Sequence, residues 1–482
     1  MSDVRVRFAP SPTGELHIGG ARTALFNLMH VRSQGGTFVL RIDDTDLERS
    51  RVDYIDRLFA SLKWLGFDWD EGPYYQSRRL EEYSREAERL LAENKAYRCY
   101  CSMEELTAGR DTARKENKAY LYPGRCRVLS PQAEEAFRRE GREAVIRLLT
   151  PDRGTTVVND LVRGEVIFDN EMLDDFIIIK SNGLPTYNFA SVVDDLQMKI
   201  TDVIRGEEHL SNTPRQQLCA AAMGCELPRF AHVPMILAPD RSKLSKRHGA
   251  TSVEEFYNDG YLPEALVNYI ALLGWSPGED REILTLEEMI QSFNLLRVNK
   301  TAAIYDVSKL SWMNGHYIRE YEPDRLAAAA LPFFIKKGLI KNEELSETEY
   351  SYLKQVTAAV RERAKTLVEL TEAAEYFYLD QFDYDPKGVQ KAFKKEGTKE
   401  LLHLVKEELS LLEPFDMDST EKLFHSLCEK TGHSFGKLIQ PTRLAITGRL
   451  GGPGLFEIMD LLGKEKTIAR IERAIAYIED SS

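Results

Sequence analysis

The opening of this 482-residue chain constrains its fold more than any other part. Residues 4–8 alternate apolar and basic side chains as a strand does, and residues 9–14 form a loop with two prolines and a glycine. Apolar side chains then recur at helical spacing over residues 21–31, and glycines at 35–36 end that helix before a second strand at 37–42. This order of elements predicts the beginning of a doubly wound parallel sheet.

The rest of the chain divides by its hydrophobic patterns. Residues 50–95 have helical periodicity, and the hydrophobic pattern changes near residue 97. We interpret residues 81–190 as an inserted domain. Strand-like runs occur at 145–149, 155–158, 165–168 and 176–180, and again at 192–193, 203–204 and 232–237. Helical spacing dominates after residue 250, with predicted breaks at Pro332, Pro386, Pro414 and Pro441. An α/β half with an α+β insertion, followed by an all-helical half, is therefore expected.

Composition excludes several classes of protein. Apolar residues make up 43% and charged residues 29%, and no apolar run approaches the roughly 18 residues that a membrane-spanning helix needs. The net charge of −13 argues against binding nucleic acid through bulk charge but leaves local basic patches open. The first residues contain no secretory apolar core, and six cysteines do not make a disulfide framework. We expect a reduced, cytoplasmic protein without a membrane partner.

Two segments carry the residue types of nucleotide chemistry, and the first is His-Ile-Gly-Gly at residues 17–20. It stands where the first helix begins, and a helix N-terminus offers unpaired N–H groups and a partial positive charge. Gly19 and Gly20 would let a nucleotide approach the backbone, and His17 can donate a hydrogen bond to a phosphate oxygen. A turn histidine followed by two packing glycines explains the same residues, so this segment alone decides nothing.

The second segment is the basic run RSKLSKRHG at residues 241–249. Four of the seven residues from 241 to 247 are cationic, and the run follows a predicted strand, where open α/β sheets bind their ligands. Lysines in this place would stabilise negative charge that develops on a transferring phosphate. A solvated charged face is the alternative for this segment alone.

Together the two segments resemble the paired signatures of class I aminoacyl-tRNA synthetases. The longer string RFAPSPTGELHIGGARTALFN, residues 7–27, is similar to the glutamate branch of that family, the bacterial glutamyl-tRNA synthetases. Further blocks of resemblance lie at residues 40–46, 185–190, 202–209, 310–315 and 441–448, so it spans nearly the whole chain. Gly20 stands where many class I enzymes have histidine, but glycine is familiar there in the glutamate branch.

The resemblance implies a two-step reaction. Glutamate and ATP would form glutamyl-adenylate and pyrophosphate, with Mg²⁺ bridging the phosphates, and glutamate would then pass to the 3′-terminal ribose of tRNA(Glu). The α-carboxylate is already a nucleophile, so the first step needs alignment and charge stabilisation rather than a base. By resemblance the catalytic residues are His17, Lys243 and Lys246, and ATP contacts these three together with Pro10, Thr13, Gly19, Gly20, Ser245 and Arg247.

Glutamate carries a second carboxylate, which a selective site must meet with fixed cations. The planar fork of arginine matches a carboxylate in two places. The resemblance gives the γ-carboxylate to Arg7, Tyr187 and Arg205, and the amino and α-carboxylate ends to Ser11, Asp43 and Ser191. Asp43 replaces a frequent glutamate of the family and Ser191 an occasional asparagine. The alternative is that Arg7 and Arg205 pair with Asp43 or Glu207 as structural ion pairs.

Three cysteines of the predicted insertion have a spacing at which some family members hold zinc: Cys99, Cys101 and Cys126. Three thiolates need a fourth ligand for a closed tetrahedral site, and Val128, two residues after Cys126, cannot supply it. Tyr122 is the nearby substitute with precedent in the family. A zinc site and a set of vestigial reduced cysteines both stay open.

The domain plan of the family implies five parts in this chain. They are a Rossmann-type catalytic domain (1–80 and 191–241), an inserted acceptor-stem-binding domain (81–190), a stem-contact domain with the KLSKR loop (242–322) and helical anticodon-binding domains (323–375 and 376–482). Arg363 falls where the family reads the third anticodon base and Arg443 at a second anticodon contact. Arginine at 363 resembles the type that rejects tRNA(Gln), although an exposed helix-surface charge is the alternative. The family expectation is a monomer.

Other functions fit only parts of the sequence. A relative that attaches glutamate to a modified base resembles the catalytic half alone, and a small-substrate nucleotidyltransferase would not need the helical half. A non-catalytic tRNA-binding paralog would be expected to lose His17 or the lysines of residues 243–247, which are intact. We therefore expect an enzyme that attaches glutamate to tRNA(Glu) and discriminates against tRNA(Gln), with a non-discriminating enzyme as the alternative.

Overall fold

The computed structural model describes residues 4–46, 51–278 and 280–481, apart from the side chain of Lys246. These residues divide into two compact units. The first unit comprises Met1–Tyr257 and Pro263–Val307, and the second comprises Asn258–Leu262 and Ser308–Ser482. Within the described ranges, no helix is long and apolar enough to cross a lipid bilayer.

The first unit contains every strand named here and the first ten helices. The strands are β1 (Arg5–Phe8), β2 (Thr37–Ile42), β3 (Glu71–Tyr75), β4 (Ala96–Cys99), β5 (Val145–Leu148), β6 (Thr155–Asp160), β7 (Gly164–Asp169), β8 (Ile177–Ile179), β9 (Asp202–Gly206), β10 (Arg229–Val233), β11 (Ile236–Leu237) and β12 (Ala303–Ile304). The helices are α1 (Ile18–Gln34), α2 (Val52–Trp64), α3 (Leu80–Ala92), α4 (Met103–Lys115), α5 (Pro131–Arg139), α6 (Tyr187–Gln197), α7 (Thr213–Met223), α8 (Val253–Asn258), α9 (Pro263–Leu272) and α10 (Leu286–Ser292).

The predicted β–α–β opening is confirmed. Strand β1 pairs with β2 in parallel, and α1 connects them. Helix α1 ends at Gly35, whose φ of 64° is the left-handed conformation that glycine adopts without strain. Gly36 allows a close approach, because a Cβ atom there would overlap the carbonyl of Val4. The two glycines that end the helix in the sequence thus turn the chain back into the sheet.

The main sheet has seven strands in the order β3-β2-β1-β9-β10-β6-β7. All neighbouring pairs are parallel except β6 and β7, which form an antiparallel hairpin. Strands β4, β5 and β8 form a separate antiparallel sheet, and β11 pairs with β12. The hairpin lies inside the stretch predicted as an insertion but extends the main sheet, and the five-part domain division stays a prediction.

Three local predictions are wrong. Val192 and Val193 are buried in helix α6 and do not form a strand. An apolar run of two residues is equally compatible with the spacing of a helix and of a strand. The predicted strand at 232–237 is two strands, β10 and β11, because Pro234 cannot donate to a ladder. Strand β3 interrupts the predicted helical stretch 50–95; its polar sequence EGPYY carries no strand alternation.

The second unit is helical, as predicted. Its helices are α11 (Val307–Glu320), α12 (Pro323–Lys336), α13 (Glu347–Val360), α14 (Leu367–Tyr378), α15 (Pro386–Gly388), α16 (Thr398–Leu411), α17 (Met417–Thr431), α18 (Phe435–Thr447) and α19 (Leu455–Asp480), the last kinked at Gly463. Pro386 begins α15, but Pro332 and Pro441 lie inside α12 and α18 instead of ending them. Burial of apolar faces beside them offsets the roughly 3 kcal/mol that an interior proline costs.

Candidate active site at the carboxyl edge of the sheet

Polar side chains stand at the carboxyl ends of five adjacent parallel strands in the main sheet. They are Arg41 on β2, Arg7 on β1, Arg205 on β9, His232 on β10 and Asp160 on β6, each no more than one residue from the end of its strand. Open α/β sheets bind ligands outside this edge. The carboxyl edge is therefore the candidate active site.

Helix α6 supplies a second set of polar groups to this site. Tyr187, Ser191, Asp194 and Asp195 are spaced so that they share one face of the helix. Asp195 contacts the arginines of the sheet. The Ser191 hydroxyl is buried and has no hydrogen-bond partner within the described ranges, so it is available to a ligand that reaches it.

Arg7 and Arg41 share one carboxylate partner, Asp195. Arg7 Nε donates to Asp195 Oδ1 at 3.1 Å, and Arg41 Nη1 donates to the same oxygen at 2.7 Å. Arg41 Nε also donates to Asp43 Oδ1 at 2.7 Å. Burial raises the pKa of Asp43 to about 6, although Arg41 opposes that shift. Arg7 is thus paired, but with a carboxylate that the sequence did not identify.

Arg205 contrasts with Arg7, because it is buried without contacting a carboxylate of any described residue. Its Nε donates to His232 Nε2 at 3.0 Å, and its Nη1 donates to the Tyr187 hydroxyl at 3.3 Å. Burial lowers its pKa from the ordinary value. Glu207, the partner that the structural alternative offered, pairs with Arg163 instead. The structural alternative is therefore wrong for Arg205, whereas Arg7 does form a buried ion pair, with Asp195 in place of the expected Asp43 or Glu207.

His17 caps helix α1 through its side chain. Its Nδ1 accepts from the backbone N–H of Gly20 at 3.1 Å, so the neutral ring carries its proton on Nε2 and can donate from there. Packing around the ring lowers its pKa. A Cβ atom at Gly19 would lie 3.0 Å from the His17 ring, so this glycine makes room for the histidine.

The chain ties the two sequence signatures together. Ile18 N donates to Thr251 O at 2.9 Å, and Val253 N donates to Leu16 O at 2.9 Å, directly after the basic run. Lys243 is close enough that its charge contributes to the lowered pKa of His17. Segments roughly 225 residues apart in sequence are therefore neighbours in the first unit.

Side-chain hydrogen bonds shape the basic run itself. Ser242 donates to Asp240 from both its backbone and its hydroxyl, and Arg247 Nη2 donates to Ser242 Oγ at 3.2 Å. The hydroxyl of Ser245 lies 3.1 Å from His248 Nδ1. The side chain of Lys246, the remaining predicted catalytic residue, lies outside the described residues.

The proline-containing loop lies against the end of β2. Asp43 N donates to Pro10 O at 3.0 Å, and Thr13 N donates to Ser11 O at 2.9 Å. Predicted ATP-binding and glutamate-binding residues of this loop are thus brought next to Asp43. Ser11 and Thr13 are both exposed and free to meet a ligand.

A cleft of about 550 Å³ opens beside Tyr187. Three arginines line it, Arg110, Arg147 and Arg215, together with aromatic rings that include Tyr120. Cations track a phosphate backbone and aromatic rings stack on unpaired bases, so the lining has the chemistry of a single-stranded nucleic-acid site.

The three cysteines of the insertion form a cluster. Their sulfur atoms lie within 4.8 Å of one another, and Cys101 Sγ is 3.7 Å from Cys126 Sγ. Tetrahedral zinc with bonds of about 2.3 Å separates its sulfur ligands by about 3.8 Å. The Tyr122 hydroxyl is 3.3 Å from Cys99 Sγ and 3.6 Å from Cys101 Sγ. A hydrogen bond from Cys126 lowers the pKa of Cys99, whereas the same hydrogen bond raises the pKa of Cys126, and burial raises the pKa of Cys101 and Tyr122. One thiolate is therefore favoured before a metal binds, and the other ligands would release their protons on binding. The four residues fit a zinc site.

In the second unit, Arg363 and Arg443 lie close together. Arg363 is exposed on the turn after α13, and its Nη1 is 3.2 Å from where a Cβ of Gly451 would stand. Arg443 Nη1 donates to the carbonyl of Pro453. Burial lowers the pKa of Arg443, and the charge of Arg363 lowers it further. Two cations thus flank the loop before α19.

Sequence reasoning missed several residues of the site. Asp195, His232 and Asp160 surround the arginines, and Glu208 is near enough to His17 to act on its pKa. The signals were weak: two adjacent aspartates after Ser191, and a histidine at the end of a strand. Glu208 stands inside a matching block of the resemblance, at residues 202–209, which was the usable signal.

Comparisons with known proteins identify relatives that match both units of the chain. The family model of class I tRNA synthetases (E and Q), catalytic domain, matches residues 3–312, and an anticodon binding domain matches residues 325–475. The chain is 56% identical to glutamate–tRNA ligase 1 of Caldanaerobacter subterraneus subsp. tengcongensis, covering 100% of this chain and 99% of that protein. It is also 56% identical to the glutamate–tRNA ligase of Moorella thermoacetica over the full length of both.

A solved structure has the same architecture throughout. The glutamate tRNA ligase of Elizabethkingia meningosepticum, in complex with its amino acid, superimposes with a TM-score of 0.89 at 34% identity, covering 99% of this chain and 100% of that one. The predicted fold class and the resemblance are both confirmed. Similarity that extends over both units, joined to the paired signatures at the sheet edge, shows that the chain belongs to the class I tRNA synthetases and, within them, to the glutamate–tRNA ligases.

Proposed function

We propose that this chain activates L-glutamate with ATP and transfers it to tRNA(Glu). One observation carries the choice of amino acid: Arg205 is buried beside Tyr187 and contacts no carboxylate among the described residues. A buried guanidinium that stands at the carboxyl edge of the sheet without an anion in contact is suited to the γ-carboxylate of a ligand. Arg7 and Tyr187 complete that end of the pocket, and Ser11, Asp43 and Ser191 meet the amino and α-carboxylate ends.

The first step joins the glutamate α-carboxylate to the α-phosphate of ATP and releases pyrophosphate. His17 Nε2 donates to a phosphate oxygen, and Lys243 and Lys246 stabilise the charge that develops there. Pro10, Thr13, Gly19, Gly20, Ser245 and Arg247 complete the nucleotide site. Mg²⁺, when bound, supplies further charge neutralisation on the phosphates.

In the second step a hydroxyl of the terminal ribose of the tRNA attacks the carbonyl of the adenylate and AMP leaves. The cleft beside Tyr187 receives the single-stranded 3′ end, because its arginines and aromatic rings suit phosphates and unpaired bases. The five-part division of the chain assigns the acceptor stem to residues 81–190 and the anticodon to residues 323–482. A monomer in the cytoplasm is the expected working form.

Charging assays test the proposal. Labelled glutamate is offered with purified tRNA(Glu), tRNA(Gln) and tRNA(Asp). Charging of tRNA(Glu) alone supports a discriminating enzyme. Charging of tRNA(Gln) as well keeps the activity but removes the discrimination, and no charging by folded protein favours the non-catalytic paralog.

The cysteine cluster is proposed as a zinc site. Cys99, Cys101, Cys126 and Tyr122 would hold the metal and so fasten two separate segments of the chain, residues 99–101 and 122–126, which is a structural role. Metal analysis of purified protein is expected to give about one zinc per chain. Much less than one zinc, in protein that was never exposed to a chelator, would identify the cysteines as vestigial.

A further inference from the structure

Behind Arg205, His232 contacts the guanidinium and Asp160 contacts His232. We propose that Asp160 and His232 are positioning residues for the recognition of the glutamate γ-carboxylate, an inference that rests on the proposed function. Neither residue is a predicted site residue. Asp160 lies at the carboxyl end of β6, and His232 lies at the carboxyl end of β10. These two strands are adjacent in the sheet, and β10 is also adjacent to β9, which carries Arg205.

Asp160 is held as an anion by several donors. Its Oδ1 accepts from the backbone N–H groups of Val162 at 2.9 Å and Arg163 at 2.8 Å. Its Oδ2 is 2.6 Å from Nδ1 of His232. These hydrogen bonds lower the pKa of Asp160 despite its burial. An ionised carboxylate only accepts, so the hydrogen between the two side chains belongs to His232 Nδ1.

The tautomer of His232 follows from this contact. Burial lowers the pKa of His232, so the ring is neutral, and a neutral ring with its hydrogen on Nδ1 has a lone pair on Nε2. That lone pair accepts from Arg205 Nε at 3.0 Å. Arg205 and His232 are register partners on the paired strands β9 and β10, so the backbone fixes the distance between them.

The other hydrogen bonds of Arg205 leave one side of its fork for the ligand. Nη2 donates to Thr213 Oγ1 at 2.8 Å and to Gln216 Oε1 at 2.9 Å, whereas Nη1 meets only the Tyr187 hydroxyl among described residues. Each of these partners is neutral. The guanidinium is therefore oriented without an anion in direct contact, and an anion there would compete with the substrate carboxylate.

Asp160→Asn replaces one carboxylate oxygen with an NH₂ group and so tests the contacts that run from Asp160 through His232 to Arg205. The amide NH₂ of asparagine would face His232, so Nδ1 must accept and the ring hydrogen moves to Nε2. Nε2 then points a hydrogen at Arg205 Nε, which loses its acceptor, and Thr213 Oγ1 becomes the acceptor of that hydrogen. The expected result is a rise of about ten- to a hundredfold in KM for glutamate, with KM for ATP within about threefold of wild type.

A matched control comes from the opposite end of the same sheet. Asp202 is buried at the start of β9 and lies 3.9 Å from His30, so Asp202→Asn also perturbs a buried aspartate beside a histidine. Its KM for glutamate is expected to stay within about threefold of wild type. A similar rise in both variants would show that general destabilisation, rather than the orientation of Arg205, explains the effect and would overturn the proposal.

A second pair of variants tests the proposal independently if the Asp160→Asn protein does not fold. His232→Gln keeps an acceptor oxygen near the position of Nε2, whereas His232→Leu keeps bulk without an acceptor. The glutamate KM of the glutamine variant should be at least about fivefold lower than that of the leucine variant. Equal values in the two folded variants would overturn the proposal.

A spectroscopic readout separates positioning from simple packing. Nitrogen-15 NMR of histidine-labelled protein should find the hydrogen of His232 on Nδ1 in wild type and on Nε2 in Asp160→Asn. No change of tautomer, or a glutamate KM within about threefold of wild type in folded Asp160→Asn, would overturn the proposal. Wild-type protein that charges no tRNA with glutamate would instead refute the proposed function, so the two failures are distinguishable.

Discussion

Arg205 in the first unit and Arg363 in the second are both arginines proposed to recognise a substrate, but the protein holds them differently. Arg205 is 5% exposed, stands on a central strand, and has defined partners for Nε and both terminal nitrogens. Arg363 is exposed at the end of a helix, next to the loop that contains Gly451. One side chain is oriented by protein contacts before a ligand arrives, and the other is exposed to solvent.

The difference matches the proposed ligands. A small carboxylate is recognised by geometry, so its partner gains from being oriented in advance. Bases of RNA are unstacked and splayed when they are read, and an exposed side chain can follow them. The unit that reads an amino acid is therefore expected to tolerate few changes around its arginine, and the unit that reads RNA to tolerate more.

Arg205→Ala is expected to have the largest effect. It removes the guanidinium charge that faces the γ-carboxylate and the hydrogen bond that Nη1 would donate to it, so kcat/KM for glutamate should fall by about 10²- to 10⁴-fold and the preference for glutamate over glutamine should be lost. Steady-state aminoacylation with both amino acids measures this. Arg229→Ala, on the neighbouring strand at the opposite end of the sheet, is the matched control and should be nearly silent. A loss below about fivefold in Arg205→Ala would show that Arg205 is not the carboxylate reader.

Arg363→Gln is expected to change the choice of tRNA and leave the choice of amino acid alone. Charging of tRNA(Gln) relative to tRNA(Glu) should rise by about ten- to a hundredfold, while KM for glutamate stays constant. Arg361→Gln is the control, since Arg361 lies on the same turn but donates to the carbonyl of Tyr321. If tRNA(Gln) stays uncharged by Arg363→Gln, the discrimination lies elsewhere in the protein.

Sequence patterns predicted the local elements well and their assembly poorly. The β1–α1–β2 unit and the helical second unit follow from periodicity and from glycine and proline positions. The strand order places β9 and β10 between β1 and β6, however, and no local pattern encodes that order. Asp160 and His232 are 72 residues apart and meet only through it. The predicted site residues came from the resemblance, which is why their partners were missed.

The pH dependence of KM for glutamate tests the proposed role of Asp43 in binding the amino group. Burial raises the pKa of Asp43 to about 6, so this carboxyl is protonated below that pH and ionised above it. The ionised form attracts the amino group of glutamate. KM for glutamate should therefore fall about three- to tenfold as pH rises through about 6, and Asp43→Asn should flatten that profile. A flat wild-type profile would remove Asp43 from the amino-group site.

Gly451→Ala tests whether Arg363 is as movable as its exposure implies, and its effect should be the smallest. The new Cβ would stand 3.2 Å from Arg363 Nη1, so the tip of the arginine must shift by a few tenths of an ångström. An exposed side chain makes that shift easily, and KM for tRNA(Glu) should rise no more than about two- to threefold. Gly436→Ala is the control, because a Cβ at Gly436 meets no atom within 4 Å. A rise above about tenfold in Gly451→Ala alone would mean that Arg363 is held as firmly as Arg205, and the contrast between the two units would fail.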